Sequence, residues 1–165
     1  MQIRQERLDD AAAIHALTDA AFEGMPFSDQ TEAKVVDALR AAGALTLSLV
    51  ATEAGNIVGH VAFSPVKING EASDWYALGP VSVWPGRQRL GIGQALIREG
   101  LERLQSIRAG GCVLLGDPAY YCRFGFESDP DLYDVGAPPG AFQCLTLNGS
   151  RPSGEVTFHP GFDAS

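Results

Sequence analysis

Val81-Ser-Val-Trp-Pro-Gly-Arg-Gln-Arg-Leu-Gly-Ile-Gly-Gln-Ala-Leu-Ile97 is the stretch that decides the fold. An apolar, β-branched run stops at Pro85-Gly86, a short basic loop follows, and a helix opens with nothing bulky at its first turn. The core of the loop is Gln88-x-x-Gly91-x-Gly93. The free N–H groups and positive dipole end of such a helix attract an anion. The two glycines let the backbone approach that anion with no Cβ in the way. A phosphate or pyrophosphate is the ligand this arrangement asks for.

Two common nucleotide loops do not fit. No Gly-Lys-Ser/Thr ends the segment, so it is not a P-loop. Leu96 stands where a dinucleotide fingerprint needs its third glycine, and the preceding strand closes a meander. A solvated, glycine-rich helix entry is the bland alternative.

The charge of this segment stands out against its background. The chain has 165 residues and a formal net charge of −8, with 20 acidic against 12 basic side chains. That balance disfavours nonspecific binding to nucleic acid or an anionic membrane. Within residues 85–108, however, Arg87, Arg89, Arg98, Arg103 and Arg108 face only Glu99 and Glu102, a local excess of +3. The length suits one domain, residues 1–165, able to bury its own core. No signal-peptide run opens the chain, and no stretch approaches the ~18 apolar residues of a membrane span. Cys112, Cys122 and Cys144 lack zinc-type or redox spacing, which reads as reduced thiols in a cytoplasmic protein with no metal.

The periodicities predict an edge strand at 2–7 and a helix at 10–22 capped by Asp9 or Asp10. A Gly24/Pro26 break and a capping signal at Ser28-Asp29-x-x-Glu32 introduce a second helix that ends at Gly43. Strands at 45–53, 57–68 and 75–83 follow, joined by turns at Gly55-Asn56 and Asn69-Gly70, as an antiparallel meander. Gly79-Pro80 interrupts the third strand and marks a bulge. A helix at 91–107 buries Leu96, Ile97, Leu101 and Leu104 and leads to a strand at 112–115. Asp117-Pro118 caps and starts a brief helix. Strands at 142–147 and 155–158 close the chain. The order βααβββαβαββ is an α+β layout with a mixed, mostly antiparallel central sheet, flanking helices and one strand–helix–strand crossover.

Residues 78–97 resemble the acetyl-CoA-binding core of the GNAT N-acetyltransferase superfamily: a bulged strand, a basic loop of the form Arg/Gln-x-x-Gly-x-Gly/Ala, then a helix. Tyr121-Cys-Arg-Phe-Gly-Phe126 is similar to the family's later Tyr-x-x-x-Gly-Phe signature. The resemblance covers about residues 2–127. The Gly-Asp-Pro-Ala-Tyr-Tyr-x-Arg-Phe-Gly-Phe run and the tail at 154–162, with final strands in about 141–160, look like the YhbS-like subgroup.

The resemblance implies a GNAT-like acyl-CoA N-acyltransferase fold, acetyl-CoA as acyl donor, and a primary amine, small molecule or peptide, as acceptor. Carried over by position, the backbone N–H groups of Gln88, Arg89, Gly91, Gly93 and Gln94 meet the pyrophosphate. Val81 and Val83 pair with the pantetheine arm like an added strand, and the Val81 N–H polarises the thioester carbonyl. Arg87 and Arg89 stand near the phosphates or remain solvated. Tyr121 matches the general acid for the departing thiolate, or packs beside Phe124 and Phe126.

No general base is legible. The position often used on the bulged strand is Ala77. Asp117 reads as a helix cap, His15, His60 and His159 as structural or surface histidines, and Glu23 as a weak candidate beside the acceptor cleft. A water chain or an already neutral amine serves equally. A catalytically weak acyl-CoA-sensing module is the competing class, and the two final strands offer a surface for a homodimer.

Overall fold

A computed structural model describes all 165 residues. Eight strands form a mixed, mostly antiparallel sheet, accompanied by four helices. The chain divides into two compact units. The first comprises Met1–Ser64, Gly79–Gly100 and Pro160–Ser165, and the second Pro65–Leu78 and Leu101–His159.

The first unit begins with strand β1 (Gln2–Gln5), which pairs antiparallel with β2 (Leu47–Glu53). Helices α1 (Ala11–Phe22) and α2 (Glu32–Ala41) lie between them in sequence. The Asp10 side chain does not cap α1 as expected. It turns back to accept from the Arg7 N–H at 2.7 Å and from Arg4 at 2.7 Å, which holds its carboxyl below the usual range. The expected box at the start of α2 is also displaced. Thr31 precedes the helix without a side-chain cap, and the Ser28 hydroxyl instead donates to Glu32 at 2.7 Å. His15 of α1 bridges to Asp37 of α2 at 2.6 Å.

Ile14, Val36 and Val50 pack together with Ile57, while Val35, Leu39 and Ala44 pack with Leu45 and Phe162. Side chains at i, i+3 and i+4 share a helix face, which is how Val35, Val36 and Leu39 come to be buried from one helix. Strand β3 (Asn56–Ile68) follows β2 through a two-residue turn at Ala54-Gly55, with φ of 50° and 81°. The turn sits one residue earlier than the sequence suggested, because Glu53 pairs with Asn56.

Strand β4 (Glu71–Val83) leaves β3 through the predicted Asn69-Gly70 turn, both residues with positive φ. It delivers α3 (Ile92–Ser106), whose stripe of Leu96, Ile97, Leu101 and Leu104 is buried as predicted. In the second unit β4 pairs in parallel with β5 (Gly111–Leu115), the geometry of a strand–helix–strand crossover. Strand β7 (Phe142–Thr146) pairs antiparallel with β5. Strand β8 (Gly154–Thr157) pairs with the outer end of β3, and with the two-residue β6 (Leu132–Tyr133), which the sequence did not announce. Gly110 and Gly111 leave room for the Trp75 indole, since a Cβ at either would collide with it. No helix is long and apolar enough to cross a membrane.

Candidate active site

The glycine loop is fastened at its root. The Trp84 backbone N–H donates to the Val58 carbonyl at 3.0 Å, and its indole N–H donates to the Ile57 carbonyl at 3.1 Å. Pro85–Arg87 forms one 3-10 turn, closed by the Arg87 N–H on the Trp84 carbonyl at 2.8 Å. The Gln88 side-chain amide then reaches back to the Val83 carbonyl at 3.0 Å. This residue opens the Gln-x-x-Gly-x-Gly motif, and its side chain ties the loop to the end of β4.

Arg89 and Gly91 both have positive φ, 64° and 87°, which turns the chain sharply before α3. Such a conformation suits glycine, and nothing lies within 4 Å of where a Gly91 Cβ would be. The Gly91 carbonyl accepts the Ala95 N–H at 3.0 Å. That is the first bond of the helix, so the N–H groups of Ile92, Gly93 and Gln94 precede the ladder and point out of its end. An anion placed there meets the positive end of a fifteen-residue helix.

Arg87 has another engagement. Its guanidinium forks onto Glu53, with Nε 3.1 Å from Oε1 and Nη2 on Oε2. Arg89 is exposed beside the loop. Of the two arginines read as phosphate neighbours, only Arg87 is thus committed to a carboxylate on the protein.

Val81 and Val83 are half-buried on β4. The burial alternation of that strand slips: Trp75, Ala77 and Leu78 are buried, residues 79–81 are half-buried, and Ser82 is buried again. The slip falls at the predicted Gly79-Pro80 interruption, where proline has no N–H to donate. Ala77 is fully buried and carries no titratable group.

In the second unit, α4 (Pro118–Tyr121) starts as the sequence predicted. Asp117 caps it through a 2.9 Å bond from the Ala119 N–H, and proline occupies the first position. Asp117 is therefore occupied as a cap. Tyr121 ends this helix, and its ring contacts Tyr120, Phe124 and Phe126 at centroid distances of 4.9, 6.1 and 6.1 Å. Burial, with smaller contributions from Tyr120 and Cys112, pushes its phenol up to about 12. The packing the sequence allowed is present: the Tyr121 ring lies in an aromatic seat beside Phe124 and Phe126.

His60 is the residue whose setting the sequence concealed. Located on β3 opposite Val50, it is fully buried. Its Nε2 lies 2.8 Å from the Ser48 hydroxyl, which donates onward to Glu6. Arg40 grips the same carboxylate with two bonds of 2.9 Å. Because the serine proton goes to Glu6, Nε2 carries the imidazole proton and Nδ1 is left as a buried acceptor with no protein partner. Burial pushes His60 down to about 4, with Glu6 opposing and Arg40 assisting. Burial pulls Glu6 upward, but its bonds to Arg40 and Ser48 outweigh this and hold it below the usual range. The chain is a neutral imidazole tied to an ionised carboxylate. No periodicity could have found it, because its members lie at positions 6, 40, 48 and 60.

Gly59 was missed as well. A Cβ there would lie 2.8 Å from Ile92 Cγ2 and 2.9 Å from Leu96 Cδ1, so its absence lets the first turns of α3 lie close to β3.

A phase-shifted strand, an open N–H cradle at the next helix and a parallel crossover define an acetyltransferase scaffold. The chain belongs to the GNAT acetyltransferase family: residues 2–128 match the acetyltransferase (GNAT) domain. Within it, the chain is 44% identical over 128 residues to an uncharacterized N-acetyltransferase, YhbS, of Escherichia coli strain K12, covering 77% of this chain and 74% of that one. The crystal structure of E. coli YhbS in complex with CoA superposes with a TM-score of 0.87 at 39% identity, over 98% of this chain and 91% of that one. A GNAT acetyltransferase from Brucella melitensis, crystallised with acetyl-CoA, superposes with a TM-score of 0.89 at 53% identity, over 98% and 97% of the two chains.

Proposed function

We propose that this protein transfers an acetyl group from acetyl-CoA to a primary amine by direct attack. The observation that carries the reading is the fastened loop. Gln88 ties it to the Val83 carbonyl, and the N–H groups of Ile92, Gly93 and Gln94 stand open beyond it. Relatives crystallised with acetyl-CoA and CoA support the same assignment.

Acetyl-CoA supplies a thioester with a good leaving group. The backbone N–H groups from Gln88 to Gln94 hold its pyrophosphate, and Arg89 adds a solvated positive charge. Val81 and Val83 align the pantetheine arm by strand-like pairing. The Val81 N–H donates to the carbonyl oxygen as negative charge gathers there. Tyr121 donates its hydroxyl proton in a hydrogen bond to the sulfur. With its phenol near 12 and a free thiol near 8.5, full transfer is uphill, so the bond strengthens as charge builds rather than passing the proton outright. Ala77 provides no base, and the amine is used in its neutral form. Its nitrogen bonds to the acetyl carbon, the C–S bond breaks, and the proton shed by the nitrogen passes through water to the departing thiolate. An acidic protein favours an acceptor that is cationic elsewhere.

The buried Ala77 also favours a second reading, a CoA-binding module with little turnover. Free-thiol release from acetyl-CoA, measured with lysine, spermidine and lysyl peptides, divides the two. Acceptor-dependent release supports the enzyme. Binding of acetyl-CoA without release from any amine supports the module.

A further inference from the structure

Gly116 is a glycine whose identity its own backbone does not explain. Its φ lies outside the left-handed region, so any residue could adopt its conformation. The explanation is spatial. A Cβ on Gly116 would lie 2.5 Å from Tyr121 Cε2 and 3.0 Å from Cδ2, and 3.4 Å from Leu114 Cδ1. The Tyr121 ring rests on bare backbone.

Neither side of that contact can move away easily. Gly116 is held by two groups of the second unit: its N–H donates to the Ala141 carbonyl at 2.9 Å, and its carbonyl accepts the Gln143 side-chain amide at 3.0 Å. The same amide donates to Ala141 at 3.3 Å, so the buried Gln143 staples the end of β5 to the start of β7. With both amide protons on carbonyls, the orientation of Gln143 is defined and its Oε1 is the spare acceptor. On the other side, the tyrosine is backed by the buried Phe126 and by Phe124, and tilted against Tyr120 at 85°. Its backbone is set by Asp117, whose carbonyl accepts the Tyr121 N–H at 3.0 Å. A methyl group at 116 therefore has to displace the ring.

We propose that Gly116, locked in place by Gln143, is a positioning residue that sets where the Tyr121 hydroxyl stands. The proposal rests on the role given to Tyr121 above. The role assigned to Gly116 and Gln143 needs no contact with substrate. Their contribution is to hold one ring plane, because a misplacement of about 1 Å in a catalytic group can cost up to a hundredfold in rate.

Two double-mutant cycles test it, and they separate the seat from the chemistry. The first reads thermal stability. Gly116→Ala lowers the melting temperature by about 5 °C in the wild-type background, as overpacking does. In a Tyr121→Ala background, with no ring to collide with, the same change shifts it by less than about 1 °C. Equal losses in both backgrounds would overturn the seat. If Gly116→Ala does not fold alone, recovery of folding by Tyr121→Ala supports the seat, and continued failure overturns it.

The second cycle reads thiol release with acetyl-CoA and the most active of lysine, spermidine and lysyl peptides. Gly116→Ala lowers kcat about tenfold with the KM for acetyl-CoA unchanged, and adds nothing in a Tyr121→Phe background. Unchanged kcat in a variant that shows the thermal coupling would overturn the positioning role. Wild-type turnover by Tyr121→Phe would instead remove Tyr121 from the reaction, and the positioning role with it, while the thermal cycle still reports on the seat.

Discussion

The Gln88 side-chain amide donates to the Val83 carbonyl at 3.0 Å, binding the first residue of the glycine motif to the strand that precedes it. The bond fixes the loop before any ligand arrives, so the backbone donors beyond it need little reorganisation on binding. Gln88→Ala is expected to weaken acetyl-CoA binding about three- to tenfold, the worth of one such hydrogen bond. Calorimetric titration with acetyl-CoA checks it; unchanged affinity would mean that the loop holds its shape without the clasp.

Arg87 is expected to matter less than its position in a basic loop suggests. Its guanidinium is already forked onto Glu53, and both side chains are partly exposed. Exposed pairs contribute about 0–1 kcal/mol. Arg87→Ala is expected to change acetyl-CoA affinity less than about threefold and stability by less than about 1 kcal/mol. A loss of ten-fold or more in affinity would show that the arginine abandons Glu53 for phosphate.

Gly59→Ala is expected to act at a distance. The added methyl would press on Ile92 and Leu96 and lift the opening turns of α3 from β3. A destabilisation of about 1–3 kcal/mol is expected from this overpacking. Acetyl-CoA affinity should fall as well, because the displaced turn carries the N–H groups of the cradle. Urea unfolding and the same titration measure both; loss of stability with unchanged affinity would detach the cradle from the helix seat.

Acid lability is the expected signature of His60. An unfolded histidine titrates near 6.5, and burial lowers this one to about 4 in the folded chain. Between those values the unfolded state binds the extra proton, so stability falls as pH falls from about 6.5 to about 4. The full effect is about 3 kcal/mol. Glu6, whose folded value is lowered from 4.5, adds its own loss only as the pH falls below the ordinary carboxylate range. Urea unfolding at pH 7 and pH 5 is expected to show the drop in the wild type and a much smaller one in His60→Gln. Equal drops in the two proteins would remove His60 as the cause.

Much of this was readable where local chemistry decides structure. Asn69-Gly70 adopts its turn because both residues tolerate positive φ, and Asp117-Pro118 starts a helix with groups that lie within two residues of each other. Reading failed where a charged neighbour competes with the helix end for the same side chain. Asp10 looked like a cap, but Arg4 across the chain start offers it a charged partner, and Ser28 turned to Glu32. The glycine motif was legible because its residues are contiguous. The settings of His60, Gly59 and Gly116 were not, since each is defined by side chains that only the folded sheet brings near.

Binding of acetyl-CoA to the purified protein tests the central claim most directly. At 100 times its dissociation constant a single-site ligand adds about 2.7 kcal/mol, which for a chain of this size raises the melting temperature by roughly 5–10 °C. That rise is the predicted result, reproduced by CoA and reduced in Gln88→Ala. An unchanged melting temperature at millimolar acetyl-CoA would contradict the account.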